Sequence, residues 1–468
     1  MPNYYKIRPS LETTGRDIYF GDSEERRKDL AFIGRLAELG GTKNVWLDLS
    51  GEQVLAIVGK RGSGKSFTLG SILESLCSAS QNSKLSKITD KRGIVLFDTL
   101  DIFWTSKYQL TNIEDPHIAN QVARLREWNL AGEELRTKVW IPAGYRNHMT
   151  DPEDFLDLYL GASDLDPSDW ASLLGVDLVT EPRGQLINQV YFKVTRDGWQ
   201  SAAEKFGPKT EYSIRDMVAC VKGDTDILGD YANETRRAVI QRLQALEDLP
   251  MMTTKGTDLA ELAQIGQMSV IMMGRLDDDL RTVLASVLVK KMMESRMAAS
   301  YAKKSIISDP SLKTDQKRRS GLEATIKRSI PRCWIAVDEA QNVVPSDQKT
   351  SAQERFVKLV KMGRNMGLSF ALTTQQPNAI DPRIMSQVIT FIIHQLSTRS
   401  DIEGVRANLK SAEIERADYG GRELDFVELI RSLEQGQAIV SSTPTKEISR
   451  AFVVNIRPRV SVHGGFEE

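Results

Sequence analysis

The residues best suited to chemistry lie in a glycine-rich stretch that reads GKRGSGKSF, from Gly59 to Phe67. It matches the pattern GxxxxGK[ST], in which glycines let the backbone turn tightly and aim its N–H groups at phosphate oxygens. We expect Lys65 to reach the β- and γ-phosphates as a point charge and the Ser66 hydroxyl to bind Mg²⁺. The predicted ATP-binding residues are therefore Gly59, Gly62, Ser63, Gly64, Lys65, Ser66 and Phe67.

A second candidate is the acidic pair Asp338-Glu339, which directly follows the apolar run 333–337. Two carboxylates at the end of a strand are what a P-loop ATPase needs beside its phosphate loop. Asp338 would join Ser66 in holding Mg²⁺, and Glu339 would orient or deprotonate the attacking water. The sequence thus predicts an ATP hydrolase that uses ATP and Mg²⁺.

Two further polar residues complete the predicted catalytic set. Gln375 follows an apolar run at 368–372, where a side chain could sense the γ-phosphate. Arg364 precedes that run, and its guanidinium fork suits the charge that develops on a transferred phosphoryl group. As an alternative, Arg364 would be an ordinary surface ion-pair residue.

The elements that must position these residues follow an alternating pattern. Short apolar runs at 54–58, 93–97, 138–142, 269–273 and 333–337 are typical of strands buried on both faces, and helix-forming stretches separate them. Strands alternating with helices predict a doubly wound α/β fold with a mainly parallel sheet.

Between 151 and 255 the pattern becomes helical. Asp166-Pro167 is a helix start, with an acidic N-cap and proline in the first turn. Ser213 and Asp216 resemble a capping box. We expect an α-helical insertion here, with Trp170 and Trp199 as core residues instead of platforms for stacked bases.

The bulk composition excludes some functional classes. The 468 residues carry a formal net charge of −1, so no global basic field indicates nucleic-acid binding, although a local basic surface would still allow it. No apolar run is long enough to span a membrane, and the first residues do not resemble a signal peptide. Three cysteines without metal-ligand spacing complete the pattern of a cytoplasmic protein.

One segment is locally basic. Residues from Lys303 to Arg328 include eight lysines and arginines, and they join a predicted long helix to the strand before Asp338. We expect either a solvated mobile loop or a contact to the phosphate backbone of DNA.

Taken together, the motifs resemble a known family. The succession VGKRGSGKS, VLFD, WIAVDEAQN, MGRNMG, TTQQPNAIDPRIMSQVITFIIHQLS and LEQGQAIV is similar to the HerA branch of the HerA/FtsK superfamily of ring-shaped ATPases. The resemblance covers roughly residues 54–460. It implies a RecA-like P-loop NTPase core, a homo-hexamer that hydrolyses ATP between subunits, and translocation of double-stranded DNA with a nuclease partner. It also implies Walker A roles for Lys65 and Ser66, Walker B roles for Asp338 and Glu339, a sensor role for Gln375 and an arginine finger at Arg364.

Two departures from the family pattern bear on function. Where relatives have an Asp-Pro-His-Gly-Glu-Tyr type of sequence, this chain has DTLDIF at 98–103, so the family glutamate is absent and a substitute role for Asp101 is open. The leader before residue 45 is too short for the full N-terminal β-barrel, which puts the usual docking surface for a nuclease in doubt.

The predicted domain organisation has five parts: a short N-terminal segment (1–45), the first part of the ATPase core (46–150), the helical insertion (151–255), the second part of the core (256–445) and a C-terminal strand or tail (446–468). Two functions remain open from the sequence. The first is a DNA translocase working with a nuclease. The alternative is an ATPase scaffold that assembles with an effector enzyme, a nuclease or an NAD-consuming enzyme, in bacterial antiphage defence.

Overall fold

The structure is a computed structural model that describes residues 17–21, 29–37, 43–77, 84–111, 114–347, 350–409, 416–419, 422–442 and 450–465. Within these ranges no helix combines the length and the apolar character needed to cross a membrane.

The strands of the described chain are β1 (Asp17–Gly21), β2 (Leu30–Leu36), β3 (Asn44–Asp48), β4 (Val54–Val58), β5 (Ser86–Lys87), β6 (Gly93–Asp98), β7 (Thr137–Pro142), β8 (Leu156–Leu158), β9 (Leu160–Gly161), β10 (Trp199–Gln200), β11 (Lys205–Phe206), β12 (Met252–Thr253), β13 (Met268–Met272), β14 (Cys333–Asp338), β15 (Leu368–Thr374), β16 (Thr390–Ile393), β17 (Arg416–Tyr419), β18 (Arg422–Asp425), β19 (Gln437–Ser442) and β20 (Arg450–Ile456).

The α-helices are α1 (Lys65–Cys77), α2 (Pro116–Glu127), α3 (Pro167–Leu174), α4 (Pro182–Phe192), α5 (Ile214–Gly223), α6 (Thr225–Asp230), α7 (Asn233–Glu247), α8 (Leu259–Leu262), α9 (Asp278–Ser308), α10 (Gln316–Arg328), α11 (Ser351–Met366), α12 (Pro382–Met385), α13 (Arg399–Asn408) and α14 (Phe426–Ser432).

A large central sheet organises the molecule. Its strand order in the described chain is β1-β3-β2-β20-β19-β16-β4-β15-β14-β6-β13-β7-β8, with β5 paired to β2 outside this path. From β16 to β8 all neighbouring strands are parallel. The strands β4, β6, β13, β14 and β15 are buried along their whole length, as expected for strands covered by helices on both faces. The prediction of a mainly parallel, RecA-like α/β core is confirmed.

Beyond β16 the sheet continues with antiparallel pairs. β19 joins β16 to β20, and β20 pairs with β2 from the N-terminal segment. The described part of that segment therefore extends the central sheet. The expectation that a complete β-barrel is missing stays a prediction, because residues 1–16 and 22–28 lie outside the described ranges.

The region between β9 and β12 contains α3 to α7 and the short pair β10–β11. Both predicted helix starts are confirmed: Asp166 and Ser213 each cap a helix in a complete capping box. Trp170 is fully buried and donates to the Tyr212 hydroxyl, while the half-buried Trp199 stacks on Phe206. Both tryptophans thus have packing partners within this region.

This helical region is fixed to the core by buried ion pairs. Asp169 of α3 is inaccessible to solvent and accepts from Arg355 of α11 at 2.8 Å. Lys290 of α9 lies 3.4 Å from the same carboxylate. The two cations compensate the buried charge of Asp169, and these ion pairs connect the helical region to the core.

The expectation of a basic loop between Lys303 and Arg328 is wrong. The first part of the segment completes α9, a short 3₁₀ turn follows, and the rest forms α10, which Asp315 caps at its start. Lysine and arginine are good helix formers, and α10 packs along α9. Lys317, Arg318 and Arg319 remain exposed on this helix.

Candidate active site

The phosphate loop joins β4 to α1. Gly62 and Gly64 have φ values of 73° and 109°, which only glycine adopts without strain. A Cβ atom on Gly59 would lie 2.5 Å from Ser63 Oγ, so the close turn also needs glycine there. As α1 begins at Lys65, the loop and the first turn of the helix present backbone N–H groups and the positive end of the helix dipole to one side. The arrangement suits a bound phosphate.

Asp338 lies at the end of β14, directly beside the phosphate loop. Ser66 Oγ donates to Asp338 Oδ1 at 2.9 Å, and Thr373 Oγ1 donates to the same oxygen at 2.7 Å. The other oxygen, Oδ2, is buried without a hydrogen-bond partner among the described residues. Burial raises the pKa of Asp338 to about 6, even though the Thr373 hydroxyl favours the charged form. A buried carboxylate oxygen next to a serine hydroxyl fits a divalent cation, so Ser66 and Asp338 are the residues that would hold Mg²⁺.

Glu339 adopts an unusual backbone conformation, with φ 50° and ψ 62°. A non-glycine residue in the left-handed region is strained and typically marks a functional position. Its backbone N–H donates to Thr373 Oγ1 at 2.8 Å, which helps to hold the turn. Its side chain is almost fully buried, and Oε1 lies 3.3 Å from Lys65 Nζ.

Three donors fix the Glu339 carboxylate from the neighbouring strand and turn. Gln375 donates through its side chain to Oε1 at 2.9 Å and through its backbone N–H to Oε2 at 3.2 Å. Gln341 donates to Oε2 at 2.8 Å and itself accepts from Thr374 Oγ1 at 2.8 Å. The end of β15 is therefore hydrogen-bonded to Glu339, and a movement of this carboxylate would change the hydrogen bonds at the end of β15.

A second buried carboxylate adjoins the site. Asp98, at the end of β6, is in register with Asp338 on the neighbouring strand. Burial, with the neighbouring Asp338, raises the pKa of Asp98 to about 8, although the backbone N–H of Phe103 donates to it at 2.7 Å. Asp101 is directed elsewhere: its Oδ1 accepts from the Gly274 backbone at 2.9 Å. Asp101 therefore secures the turn after β13 and does not line the nucleotide pocket.

Behind the phosphate loop lies a histidine that sequence reasoning missed. His394, fully buried at the end of β16, contacts Thr68 Oγ1 of α1 through Nε2 and the Gln437 carbonyl oxygen through Nδ1, both at 2.8 Å. Because a carbonyl only accepts, Nδ1 carries the hydrogen and Nε2 accepts from Thr68. Burial lowers the pKa of His394 to about 4, with a further contribution from Lys65. The neutral imidazole supports α1 from behind.

A pocket of about 950 Å³ extends from the phosphate loop across the end of the sheet. Its lining includes Lys65, Ser66, Glu339 and Gln375, together with residues absent from the sequence-based prediction: Arg61, Gln121, Arg124, Trp128, Gln435 and His463. The C-terminal segment after β20 forms one wall, where His463 packs edge-on against Phe67 with ring centroids 5.3 Å apart. The chain after 446, predicted as a strand or tail, therefore reaches the nucleotide pocket.

Arg364 is not part of this pocket. It lies in the last turn of α11, before β15 begins, whereas Gln375 follows the other end of that strand. A seven-residue strand spans about 23 Å, so Arg364 is at the opposite edge of the sheet from Gln375. Within the single chain the structure brings together every predicted site residue except Arg364.

The sequence profile of the HerA helicase central domain matches residues 31–292, more than half of the 468 residues. The chain belongs to this HerA family. Its site and family together make it a P-loop ATPase related to DNA repair helicases.

Among curated relatives, the probable DNA double-strand break repair helicase HerA of Methanocaldococcus jannaschii is 21% identical over 320 residues, covering 64% of this chain and 60% of the relative. The DNA double-strand break repair helicase HerA of Sulfurisphaera tokodaii is 24% identical over 183 residues, covering 39% of this chain and 30% of the relative. The chain thus spans from about a third to about three-fifths of the length of these relatives.

Two solved structures share the fold. VirB4 of Thermoanaerobacter pseudethanolicus has a TM-score of 0.52 at 12% identity, with 93% of this chain and 98% of that chain covered. The plasmid coupling protein TrwB in complex with ADP and Mg²⁺ has a TM-score of 0.50 at 13% identity, with 93% and 96% covered. Their low identity restricts the likeness to the arrangement of helices and strands.

Proposed function

We propose that this HerA-family chain hydrolyses ATP with Mg²⁺ in a homo-hexameric ring and uses the energy to move double-stranded DNA, in partnership with a nuclease. The observation that carries the proposal is the convergence of Lys65, Ser66, Asp338, Glu339 and Gln375 at one edge of the sheet. When bound, Mg²⁺ would neutralise developing charge on the β- and γ-phosphates.

The ion pair between Lys65 and Glu339 suggests how this chain's residues act on ATP. Both side chains are almost fully buried and 3.3 Å apart. A γ-phosphate arriving between them would attract Lys65 and leave Glu339 held by Gln375 and Gln341. The Glu339 carboxylate could then accept a hydrogen bond, and finally a proton, from the attacking water.

The ring is proposed because Arg364 lies far from its own subunit's pocket. It is exposed at the end of α11, where a neighbouring subunit's γ-phosphate could be approached. Arg61 and Arg124 line the pocket of the same subunit. The test of Arg364 must therefore distinguish its effect on a neighbouring subunit's ATP hydrolysis from the effects of these two arginines.

The contact to DNA is proposed at α10, whose first turn carries the exposed Lys317, Arg318 and Arg319 and whose C-terminal end precedes the strand that ends in Asp338. The curated relatives are named as DNA double-strand break repair helicases, which supports double-stranded DNA as the substrate, whereas the nuclease partner rests on the family resemblance of the sequence motifs. The second candidate is the ATPase scaffold that assembles with a defence effector. The formal net charge of −1 favours it, since a translocase gains from a positive field.

The test is ATP hydrolysis with and without linear double-stranded DNA, combined with displacement of a third strand from a triplex placed along the duplex. We expect DNA to stimulate turnover and the third strand to be displaced only with ATP and Mg²⁺. Lys65→Ala should abolish both activities. Turnover without any DNA stimulation or strand displacement would support the scaffold, and no turnover at all would reject the ATPase.

A further inference from the structure

The nucleotide pocket has a side that the phosphate chemistry does not use. Ser66 contacts Asp338, and Phe67 is the next residue along α1. The phosphate loop binds the β- and γ-phosphates near Lys65 and Ser66, and we place the nucleoside beyond them, on the Phe67 side. Phe67 lines the pocket together with His463, Gly464 and Gly465 of the segment after β20.

The hydrogen-bonding state of His463 follows from its neighbour. Arg459 Nη1 lies 3.2 Å from His463 Nδ1. A guanidinium can only donate, so Nδ1 must accept and is without a hydrogen. The neutral ring then carries its hydrogen on Nε2, the nitrogen on the other side of the ring. Burial, together with Arg459, lowers the pKa of His463 to about 3, which keeps the ring uncharged at neutral pH.

The segment carrying His463 is fixed to the helix of the phosphate loop. Glu74 of α1 is fully buried and accepts from Arg459 Nε at 3.0 Å and from Arg457 Nη1 at 3.2 Å. It also accepts from the Ser461 backbone N–H and hydroxyl at 3.1 and 2.6 Å. His463 is therefore held in place relative to Phe67, as a recognition site requires.

We propose that Phe67 and His463 form the subsite for the nucleobase of ATP, with His463 Nε2–H donating to a ring nitrogen of adenine. The inference rests on the proposed ATPase function and adds to it the side chain that recognises the base. The edge-on contact of the two rings, at 86° between their planes, places the apolar ring of Phe67 beside the imidazole, with the Gln121 side chain in the same lining. Such a site favours a flat heterocycle with an acceptor nitrogen.

The experiment compares equilibrium binding of ATP and of inorganic tripolyphosphate, each by competition with a fluorescent nucleotide, to wild type and His463→Phe. Phenylalanine keeps the aromatic contact with Phe67 and removes the donor. We expect His463→Phe to weaken ATP binding about 3- to 10-fold, the value of one hydrogen bond, and to leave tripolyphosphate binding unchanged. The matched control is His148→Ala, an exposed histidine outside the pocket.

The adenine nitrogen is identified with 1-deaza-, 3-deaza- and 7-deaza-ATP. The analogue that lacks the recognised nitrogen should have the same affinity for wild type as ATP has for His463→Phe. For the His463→Phe variant, this analogue and ATP should have equal affinities. If wild type binds all three analogues as tightly as ATP, the donor assignment is overturned, whatever the variant's stability. Equal losses of ATP and tripolyphosphate in His463→Phe would also overturn it. Wild type that binds neither ATP nor tripolyphosphate would instead reject the proposed ATPase.

Discussion

Gln375 holds both oxygens of the Glu339 carboxylate, through its side-chain amide to Oε1 at 2.9 Å and through its backbone N–H to Oε2 at 3.2 Å. The residue proposed as the γ-phosphate sensor and the residue proposed to activate water are therefore one hydrogen-bonded unit. Lys65 lies beside the same carboxylate. Phosphate binding to Lys65 would therefore change the contacts of Glu339 and, through them, the end of β15.

Replacing Glu339 with Gln should block turnover while nucleotide still binds. Loss of a general base typically lowers the rate about 10²- to 10⁴-fold. The measurement is steady-state ATP hydrolysis together with the dissociation constant for ATP. Glu403→Gln, a partly exposed residue of α13 outside the pocket, is the matched control and should behave as wild type. Wild-type turnover in Glu339→Gln would show that another residue positions the water.

Arg364→Ala should lower turnover far more than ATP affinity, if the guanidinium acts on a neighbouring subunit's nucleotide. Lys361→Ala, exposed one turn earlier on α11, is the control and should keep wild-type turnover. The placement across subunits is tested by mixing Arg364→Ala with Lys65→Ala, since a mixed ring contains interfaces with both groups intact. No recovered activity at any ratio, although both variants assemble, would contradict that placement.

Replacing Lys317, Arg318 and Arg319 with Ala should weaken DNA binding without regard to sequence. Each lost phosphate contact reduces the slope of log affinity against log salt by about 0.9. Alanine is the best helix former, so α10 should remain folded. We expect DNA-stimulated hydrolysis to fall and basal hydrolysis to persist.

The charge-matched control for that variant replaces the exposed Lys205, Lys222 and Arg237 of the helical region with Ala. An unchanged affinity and salt slope in the α10 variant would assign the helix to the solvated surface and favour the scaffold function. The same loss in both variants would point to overall charge as the cause.

His394→Gln should make stability less dependent on pH. The folded-state pKa of His394 is about 4, below the ordinary value near 6.5, so between these values the unfolded chain binds a proton that the folded chain does not. This contribution is fully present above pH 6.5 and falls by about 1.4 kcal/mol per pH unit as the pH drops toward 4. Urea unfolding at pH 7 and pH 5 should show wild type losing stability relative to His394→Gln, and an equal difference at both pH values would refute the assignment.

Glu74→Gln should destabilise the fold, since it leaves Arg457 and Arg459 buried without a counter-charge. Burial by itself would raise the pKa of Glu74, yet the two guanidiniums outweigh burial and hold this pKa below its usual range. Removing one partner of a buried ion pair costs about 3–5 kcal/mol. Glu294→Gln, exposed on α9, is the control, and the midpoint of urea unfolding is the measurement. An unshifted midpoint would mean that the charge of Glu74 is not needed.

Sequence patterns predicted the phosphate loop, the Asp338-Glu339 pair and the α/β class. Each of these features depends on residues that are neighbours in the sequence, because local composition and spacing favour a strand, a tight turn or a helix start. Their meeting at one edge was also predictable, since parallel strands carry their carboxyl ends to the same side of a sheet.

The local sequence pattern did not predict the helix in the basic segment between Lys303 and Arg328. α10 has no buried residue among the described positions, so it lacks the apolar periodicity that indicates a helix, and its charges resembled a loop. Its capping by Asp315 and its packing on α9 stabilise the helix instead.

Contacts between residues far apart in the sequence bring further side chains to the site. His394 contacts Thr68 across 326 residues of sequence, and Ser461 contacts Glu74 across 387. The sequence patterns assigned no role to His394 or His463, because a buried imidazole acquires its tautomer and depressed pKa from the groups packed around it. The placement of Arg364 was decided in the same way, because the helix before a parallel strand delivers its last turn to the edge opposite the nucleotide.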